Sequence, residues 1–288
     1  MKILLACDPT IPHEDLVQHV TSRVWPVNTE FAVLAVIEEI PQGIIPETVS
    51  DLMSAATGHA EDKVELVASC LKASGLHASP FVLEGNPHVV IVQEAASLGA
   101  DLILLGAPRP EEGYAFLSSR IARAVVRHAA CSVQIVRTGA IRRVLVPTDG
   151  SDSSITAARV LAAGKWREDA VFEVMSVVEP LSASIRFLYP PHNDSVEAEQ
   201  MRASAMLHAQ NAIKATEQIL SDAGLAISDH VMVPIDMPNK LIIQEAAAWK
   251  ADLIAIGSHG RRGIQRFLIG SVSESVAMHA ACSVEVIR

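Results

Sequence analysis

The sequence predicts an α/β protein of two tandem domains, each a five-stranded sheet of parallel type with helices on both faces. Two observations carry that expectation. The first is a long internal repeat. Val92 to Gly106 (VQEAASLGADLILLG) recurs as Ile243 to Gly257 (IQEAAAWKADLIAIG), and His128-Ala129-Ala130-Cys131-Ser132-Val133 recurs in the same register as His279-Ala280-Ala281-Cys282-Ser283-Val284. A repeat of this length is a whole domain rather than a solenoid unit, and the boundary falls near Thr138-Gly139-Ala140, giving domains over 1–138 and 139–288. The second is rhythm: short apolar runs alternate with longer segments of helical period, as in a parallel sheet covered on both faces.

The strands follow from the apolar runs. In the first copy they are Lys2 to Asp8, Phe31 to Ile37, Ala78 to Leu83, Asp101 to Leu105 and Ser132 to Val136. In the second they are Arg142 to Asp149, Val171 to Val178, Ile227 to Val233, Asp252 to Ile256 and Ser283 to Ile287. Helical periods occupy Ser153 to Lys165, Ala198 to Asp222, Asn239 to Lys250 and Val272 to His279. The opening of the repeat, Lys2 to Asp8 against Arg143 to Asp149, aligns at a shorter spacing than the rest. The second copy therefore carries extra residues, placed in a proline-bearing loop from Glu179 to Val196 and read mainly as a variable surface loop, with a lid as the alternative.

Composition narrows the function classes. Half the residues are apolar but 4% are aromatic, which suits an aliphatic layered core. A formal charge of -10 argues against a broad nucleic-acid-binding face. Cys7, Cys70, Cys131 and Cys282 form no CxxC pair, so neither a zinc site nor a disulfide framework is expected and a reducing cytoplasm fits best. Leu5-Ala6-Cys7 imitates the end of a lipoprotein signal, yet the apolar run from Ile3 to Ala6 is too short for a signal core. Runs such as Phe31 to Ile37 are strand-sized, so no membrane association is expected.

In such sheets ligands bind beyond the carboxyl ends of the strands where strand order reverses, which gathers Asp149, the residues after Val177 and the loop after Ile256. That loop reads Gly257-Ser258-His259-Gly260-Arg261-Arg262-Gly263 and closes with Gly270-Ser271-Val272-Ser273 at the start of a helix. Glycines let backbone amides approach an anion, and a helix N-terminus adds free N–H groups and a favourable dipole. The pattern is neither Walker A nor GxGxxG, and on spacing alone a tight strand-to-helix turn accounts for it equally well.

Gly257, Gly260 and Gly270-Ser271 resemble the G-2x-G-9x-G-(S/T) signature of ATP-binding universal stress proteins. Val144-Leu145-Val146-Pro147-Thr148-Asp149-Gly150-Ser151 is similar to that family's first strand and turn, and His279 to Arg288 resembles its last strand. The likeness covers both domains and implies a Rossmann-like fold. It further implies that Pro147, Thr148 and Asp149 border adenosine, that Val177 contacts adenine, and that Gly257, Ser258, Gly260, Gly270, Ser271, Val272 and Ser273 enclose ribose and phosphates. Hydroxyls of Ser271 and Ser273 are the expected donors. Arg261, with Arg262 and Arg266, flanks the loop as a candidate phosphate contact. Magnesium is expected to accompany ATP through phosphate oxygens and water. For Asp149 the structural alternative is a helix N-cap or turn acid.

The first copy departs from the signature. Gly106, Arg109, Ser119 and Arg120 stand at the aligned positions, with Pro108, Pro110, Glu111 and Glu112 between. Prolines remove amide donors and acids repel phosphate, so this copy is expected not to hold ATP, although Asp8 and Val36 persist. His259 is the sole titratable base in the intact motif and is read mainly as a loop spectator. Cys131 and Cys282 are expected as small core residues, and Cys7 as a buried strand residue beside the first crevice. No Ser/His/Asp or paired-carboxylate arrangement emerges. The leading expectation is an ATP-binding regulator of the stress response with an unidentified protein partner. The alternatives are a slow Mg-dependent ATPase or phosphotransferase, and a scaffold with structural nucleotide. Ser132 to Val136 and Ser283 to Ile287 are expected to pair within one chain as a pseudo-dimer, with a homodimer of tandem chains left open.

Overall fold

The computed structural model describes residues 1–38, 46–107, 115–179, 196–228, 236–260 and 269–288. The first half comprises β1 (Lys2–Ala6), α1 (Glu14–Ser22), β2 (Glu30–Ile37), α2 (Pro46–Ala73), β3 (His77–Glu84), α3 (Pro87–Leu98), β4 (Leu102–Gly106), α4 (Ala115–His128) and β5 (Ser132–Val136). The second comprises β6 (Arg143–Pro147), α5 (Asp152–Ala163), β7 (Val171–Met175), α6 (Val196–Asp222), β8 (Ala226–Ile227), α7 (Pro238–Ala248), β9 (Leu253–Gly257), α8 (Ser271–His279) and β10 (Ser283–Ile287).

The strands form one 10-stranded sheet in the order β3-β2-β1-β4-β5-β10-β9-β6-β7-β8. Each half is parallel throughout, and strand order reverses between β1 and β4 and again between β6 and β9. The halves meet where β5 and β10 pair antiparallel, with Gln134 opposite Glu285. Nearly continuous Val, Ile and Leu runs such as Leu102–Gly106 and Ser283–Ile287 are buried along their length, as expected for strands covered on both faces.

Three hydrophobic clusters fill the layers. One runs across the seam, joining Leu4, Ile103 and Ile135 to Leu145, Ile254 and Val284 beneath α3, α4, α7 and α8. The others lie on the opposite face, one under α1 and α2 and one under α5 and α6. The repeat shows in detail: Trp25 meets Phe31 edge-on at 5.3 Å, and Trp166 meets Phe172 edge-on at 5.1 Å.

The sequence-derived elements shift at their ends. The predicted Val171 to Val178 strand stops at Met175, and the Arg142 to Asp149 strand stops at Pro147, freeing Thr148 and Asp149 for a turn. Of the predicted Ile227 to Val233 strand, Ala226–Ile227 is seen, while 229–235 lie outside the described residues. Most of the Glu179 to Val196 loop and the Pro108 to Glu112 segment also lie outside them. Among the described residues no helix is long and apolar enough to cross a membrane.

Candidate functional site in the second domain

The carboxyl ends of β6, β7 and β9 open onto a cleft of about 540 Å³ at the reversal of strand order. Its lining includes Pro147, Thr148, Asp149, Val177, Gly257, Gly260, Gly270, Ser271, Val272 and Ser273. Ser258 sits directly behind this wall, buried. Arg261, Arg262 and Arg266 lie outside the described residues, as does Arg109 of the first copy.

Local chemistry shapes each wall. β6 ends at Pro147, and the Thr148 amide continues the pairing by donating to the Met175 carbonyl at 2.8 Å. The chain then turns through Gly150 at φ 75°, a left-handed conformation that favours glycine, against Ala212 of α6. Asp149 shapes the turn through one oxygen, its Oδ1 accepting the Ser151 amide at 3.0 Å, while the residue also lines the cleft. The N-cap of α5 is Ser151, whose hydroxyl accepts the Ser154 amide. Behind the turn runs a chain of buried hydroxyls. Thr216 of α6 donates to Thr148 at 3.1 Å, Thr148 donates to Ser154 at 3.2 Å, and Ser154 donates to the Ser151 carbonyl at 2.9 Å. His208 of α6 lies 3.3 Å from the Asp149 carbonyl.

The opposite wall is the excursion between β9 and α8. Its two ends are clamped together, because the Ser258 carbonyl accepts both the Gly270 amide at 2.7 Å and the Ser273 hydroxyl at 3.1 Å. The Ser273 hydroxyl, an expected ligand donor, is thus engaged in holding the loop. Gly270 is the N-cap of α8 and brings no side chain to the first turn, so the amides of Ser271, Val272 and Ser273 retain the donor capacity typical of a helix start. The Ser271 side chain is exposed.

The glycines serve different purposes. A Cβ on Gly257 would stand 2.7 Å from the carbonyl carbon and oxygen of Ser153, so this glycine is demanded by packing against α5. The sequence pattern on its own assigns it to anion approach. A Cβ on Gly260 would meet Asp149 Oδ2 at 2.9 Å, which makes that glycine a clearance for the carboxylate across the cleft.

His259 stands on the cleft wall. Its Nδ1 is 3.0 Å from the Ser258 hydroxyl, and its Nε2 is shielded from solvent without a hydrogen-bond partner. Desolvation, reinforced by the charge of Arg288, lowers its pKa, so the ring is neutral at neutral pH. Sequence reasoning missed the apolar floor: Met175, Ile256, Ile242 and Pro238 also line the cleft, as do Glu179 and Ser154. A signal for Pro238 was available, since Pro87 opens the corresponding helix of the first half. Among the described residues no group of three or more His, Cys, Asp and Glu side chains is placed to hold a metal ion. Cys7 and Cys282 are core residues and Cys131 packs against the core: burial pushes Cys7 up to about 12 and Cys282 up to about 11, and raises half-buried Cys131.

The universal stress protein family model matches residues 1–137 and again 140–288. The chain belongs to the universal stress protein family. It is a tandem member, one family domain in each half. A universal stress protein of Methanocaldococcus jannaschii is 31% identical over 160 residues, spanning 54% of this chain and 87% of that protein. The crystal structure of a universal stress protein from Archaeoglobus fulgidus superposes over 100% of this chain and 96% of its own, with a TM-score of 0.67 at 21% identity. A putative universal stress protein from Pseudomonas aeruginosa covers 99% of this chain and 92% of its own, with a TM-score of 0.59 at 17% identity. At such identities these structures share the fold.

Proposed function

We propose that the second domain of this universal stress protein binds ATP, accompanied by Mg²⁺, and that occupancy regulates the protein's shape or its contact with a protein partner in the cytoplasm. The observation that carries this reading is the meeting, at one cleft, of an apolar slot and the uncapped start of α8. Met175, Val177, Pro238 and Ile242 offer a planar base an aliphatic sandwich, and the first-turn amides of α8 face where phosphates would sit. Asp149 and Glu179 suit the ribose and base, where a carboxylate accepts from hydroxyl or amine groups. The volume falls in the ordinary range for small-ligand sites. A magnesium ion would enter on the phosphates, since the described wall offers no cluster of ligands for it.

A route for coupling is also in place. The hydroxyl chain from Thr148 to Thr216 and the contact of Gly150 with Ala212 tie the cleft's edge to α6. A nucleotide that favours one position of α6 over another shifts the population accordingly.

One observation favours hydrolysis as a second reading: the neutral His259, its Nε2 without a partner, stands on the cleft wall. The imidazole could orient a water only once nucleotide binding uncovers that nitrogen, which is shielded from solvent here.

The test is to heat-extract purified protein, identify released nucleotide by chromatography, and titrate stripped protein with Mg²⁺ and ATP. One ATP per chain, lost in Gly270→Val, and altered hydrogen exchange in α6 on binding support the switch. Absence of binding refutes the nucleotide reading. Phosphate release that falls in His259→Ala while ATP still binds would move the assignment to the hydrolytic reading.

A further inference from the structure

The seam between the halves has approximate two-fold symmetry, and many contacts obey it. The amide of Arg137, at the end of β5, donates to Ser283 Oγ at 3.0 Å, and its repeat equivalent Arg288, at the end of β10, donates to Ser132 Oγ at 3.2 Å. Each guanidinium reaches a carbonyl near the end of the other half's helix: Arg137 that of Ala277 in α8, Arg288 that of Val126 in α4, both at 2.8 Å. Val24 and Lys165, just before the repeat-related Trp25 and Trp166, form an antiparallel bridge. Contacts of this kind would serve equally well if either half paired with a second copy of itself.

The charges at the axis do not obey the symmetry. On the α4/α8 face, the repeat-equivalent positions Arg123 and Glu274 meet each other at 3.6 Å. Arg127 adds a forked pair of hydrogen bonds to the same carboxylate, at 3.0 and 2.7 Å. On the other face, repeat-equivalent Gln134 and Glu285 stand directly opposite one another in the strand register. Arg23 sits over this pair, 3.3 Å from Gln134 Oε1 and 3.5 Å from Glu285 Oε2. Its guanidinium lies between one tryptophan from each half, 4.5 Å from the Trp25 ring centre and 5.1 Å from that of Trp166. The repeat position matching Arg23 is Gly164, so the second half has no arginine at that position. The Glu285 side chain is 3% exposed and that of Arg23 11%, which puts this pair where an unmatched charge is heavily penalised.

We infer that the β5·β10 seam is a heterotypic interface coded by charge on both faces of the sheet, so that each half's edge fits the other half and rejects a second copy of itself. Two second domains paired in this geometry would set Glu274 against Glu274 and bury Glu285 against Glu285. Two first domains would gather Arg123, Arg127 and Arg23 with no equivalent of Glu274 or Glu285 to meet them, since Arg123 and Gln134 hold those positions. An edge strand with symmetric hydrogen bonding invites open-ended association between chains; opposed charges at the axis restrict it to the correct partner.

The test uses the full chain in three forms. Glu274→Arg with Glu285→Arg makes the second edge basic. Arg23→Glu with Arg123→Glu and Arg127→Glu makes the first edge acidic. The third form carries all five changes. Hydrogen exchange of the β5 and β10 amides is expected to rise at least tenfold in each of the first two forms and to return to within about threefold of the parent in the third. Native mass spectrometry of the first two forms mixed is expected to show assemblies containing both chains, absent from either alone, because exposed basic and acidic edges then meet. Parent-like exchange in the first two forms, failure of the third to recover, or chains that stay separate on mixing would each overturn the inference. Recovery in the third form separates a charge code from simple misfolding.

Discussion

Gly257 and Gly260 belong to one sequence signature, yet the structure predicts opposite consequences for replacing them with alanine. At Gly257 the added methyl would lie 2.7 Å from two backbone atoms of Ser153 and 2.8 Å from its hydroxyl. Ser153 is in the first turn of α5, held by the Ser151 cap, so β9 and α5 must separate by several tenths of an ångström or more. Overpacking of this kind costs about 1–3 kcal/mol, equivalent to a fall in Tm of roughly 2–12 °C for a domain of this size. At Gly260 the methyl would meet Asp149 Oδ2 at 2.9 Å and its Cγ at 4.0 Å, the movable end of a side chain. Stability should change by no more than about 0.5 kcal/mol, while the displaced carboxylate should weaken ATP binding by roughly tenfold, about 1.4 kcal/mol. Thermal melting without nucleotide and calorimetric titration with Mg²⁺ and ATP separate the two. A Gly257→Ala protein that melts like the parent would refute the packing argument, and a Gly260→Ala protein that binds ATP normally would refute the clearance argument.

Two further outcomes follow from buried polar groups. His19 is fully buried, its Nδ1 3.0 Å from the Thr138 and Gly139 carbonyls and its Nε2 2.9 Å from Gln134; desolvation first, then the charge of Arg23, lowers its pKa to about 4. The unfolded chain, with an imidazole near 6.5, takes up its proton first as pH falls, so this residue's contribution is complete above about pH 6.5 and is lost between there and about pH 4. The loss is at most about 3 kcal/mol. Urea midpoints measured across that window should fall less steeply in His19→Gln, and equal slopes would refute the assignment. In Thr216→Val the hydroxyl chain loses its first member at a site with no solvent access, which should cost about 1 kcal/mol and uncouple α6 from the cleft. Hydrogen exchange in α6 that still responds to ATP in this variant would show that coupling runs elsewhere.

Much of this architecture was legible because the signals are periodic or repeated. Ser132–Val136 and Ser283–Ile287 coincide with their apolar runs, and the start of α8 at Ser271 follows from Gly270 as a break before an amphipathic stretch. Strand ends were less legible. The valines at 177 and 178 look continuous with β7 in hydrophobicity, but Ser176 intervenes, the strand ends at Met175, and Val177 lines the cleft. The purpose of Gly257 was hidden because it depends on Ser153, a contact across distant sequence that no local pattern encodes. The bond of the Ser273 hydroxyl to the Ser258 carbonyl across the loop is invisible in the sequence for the same reason. Asp149 was readable as a polar end to β6, but the competition between capping and turning was decided by Ser151, two residues on.

The two kinds of asymmetry in this chain have a common physical origin in the fusion of its halves. In a pair of identical domains every residue at the two-fold axis faces its own copy, so a charge there repels itself and a neutral or apolar residue is the stable choice. Once the halves are joined, the repeat positions change independently, and Arg123 can meet Glu274 where identical domains would pair like with like. The same independence lets one half carry Arg109 and Ser119 where the other keeps Gly260 and Gly270. The charge code then matters for the cleft as well. Arg288, which closes β10 and reaches across the seam to Val126, is also the charge that helps hold His259 neutral on the cleft wall. Opening the seam should therefore raise the His259 pKa even though no seam side chain lines the cleft, a shift that NMR titration of the imidazole would read directly.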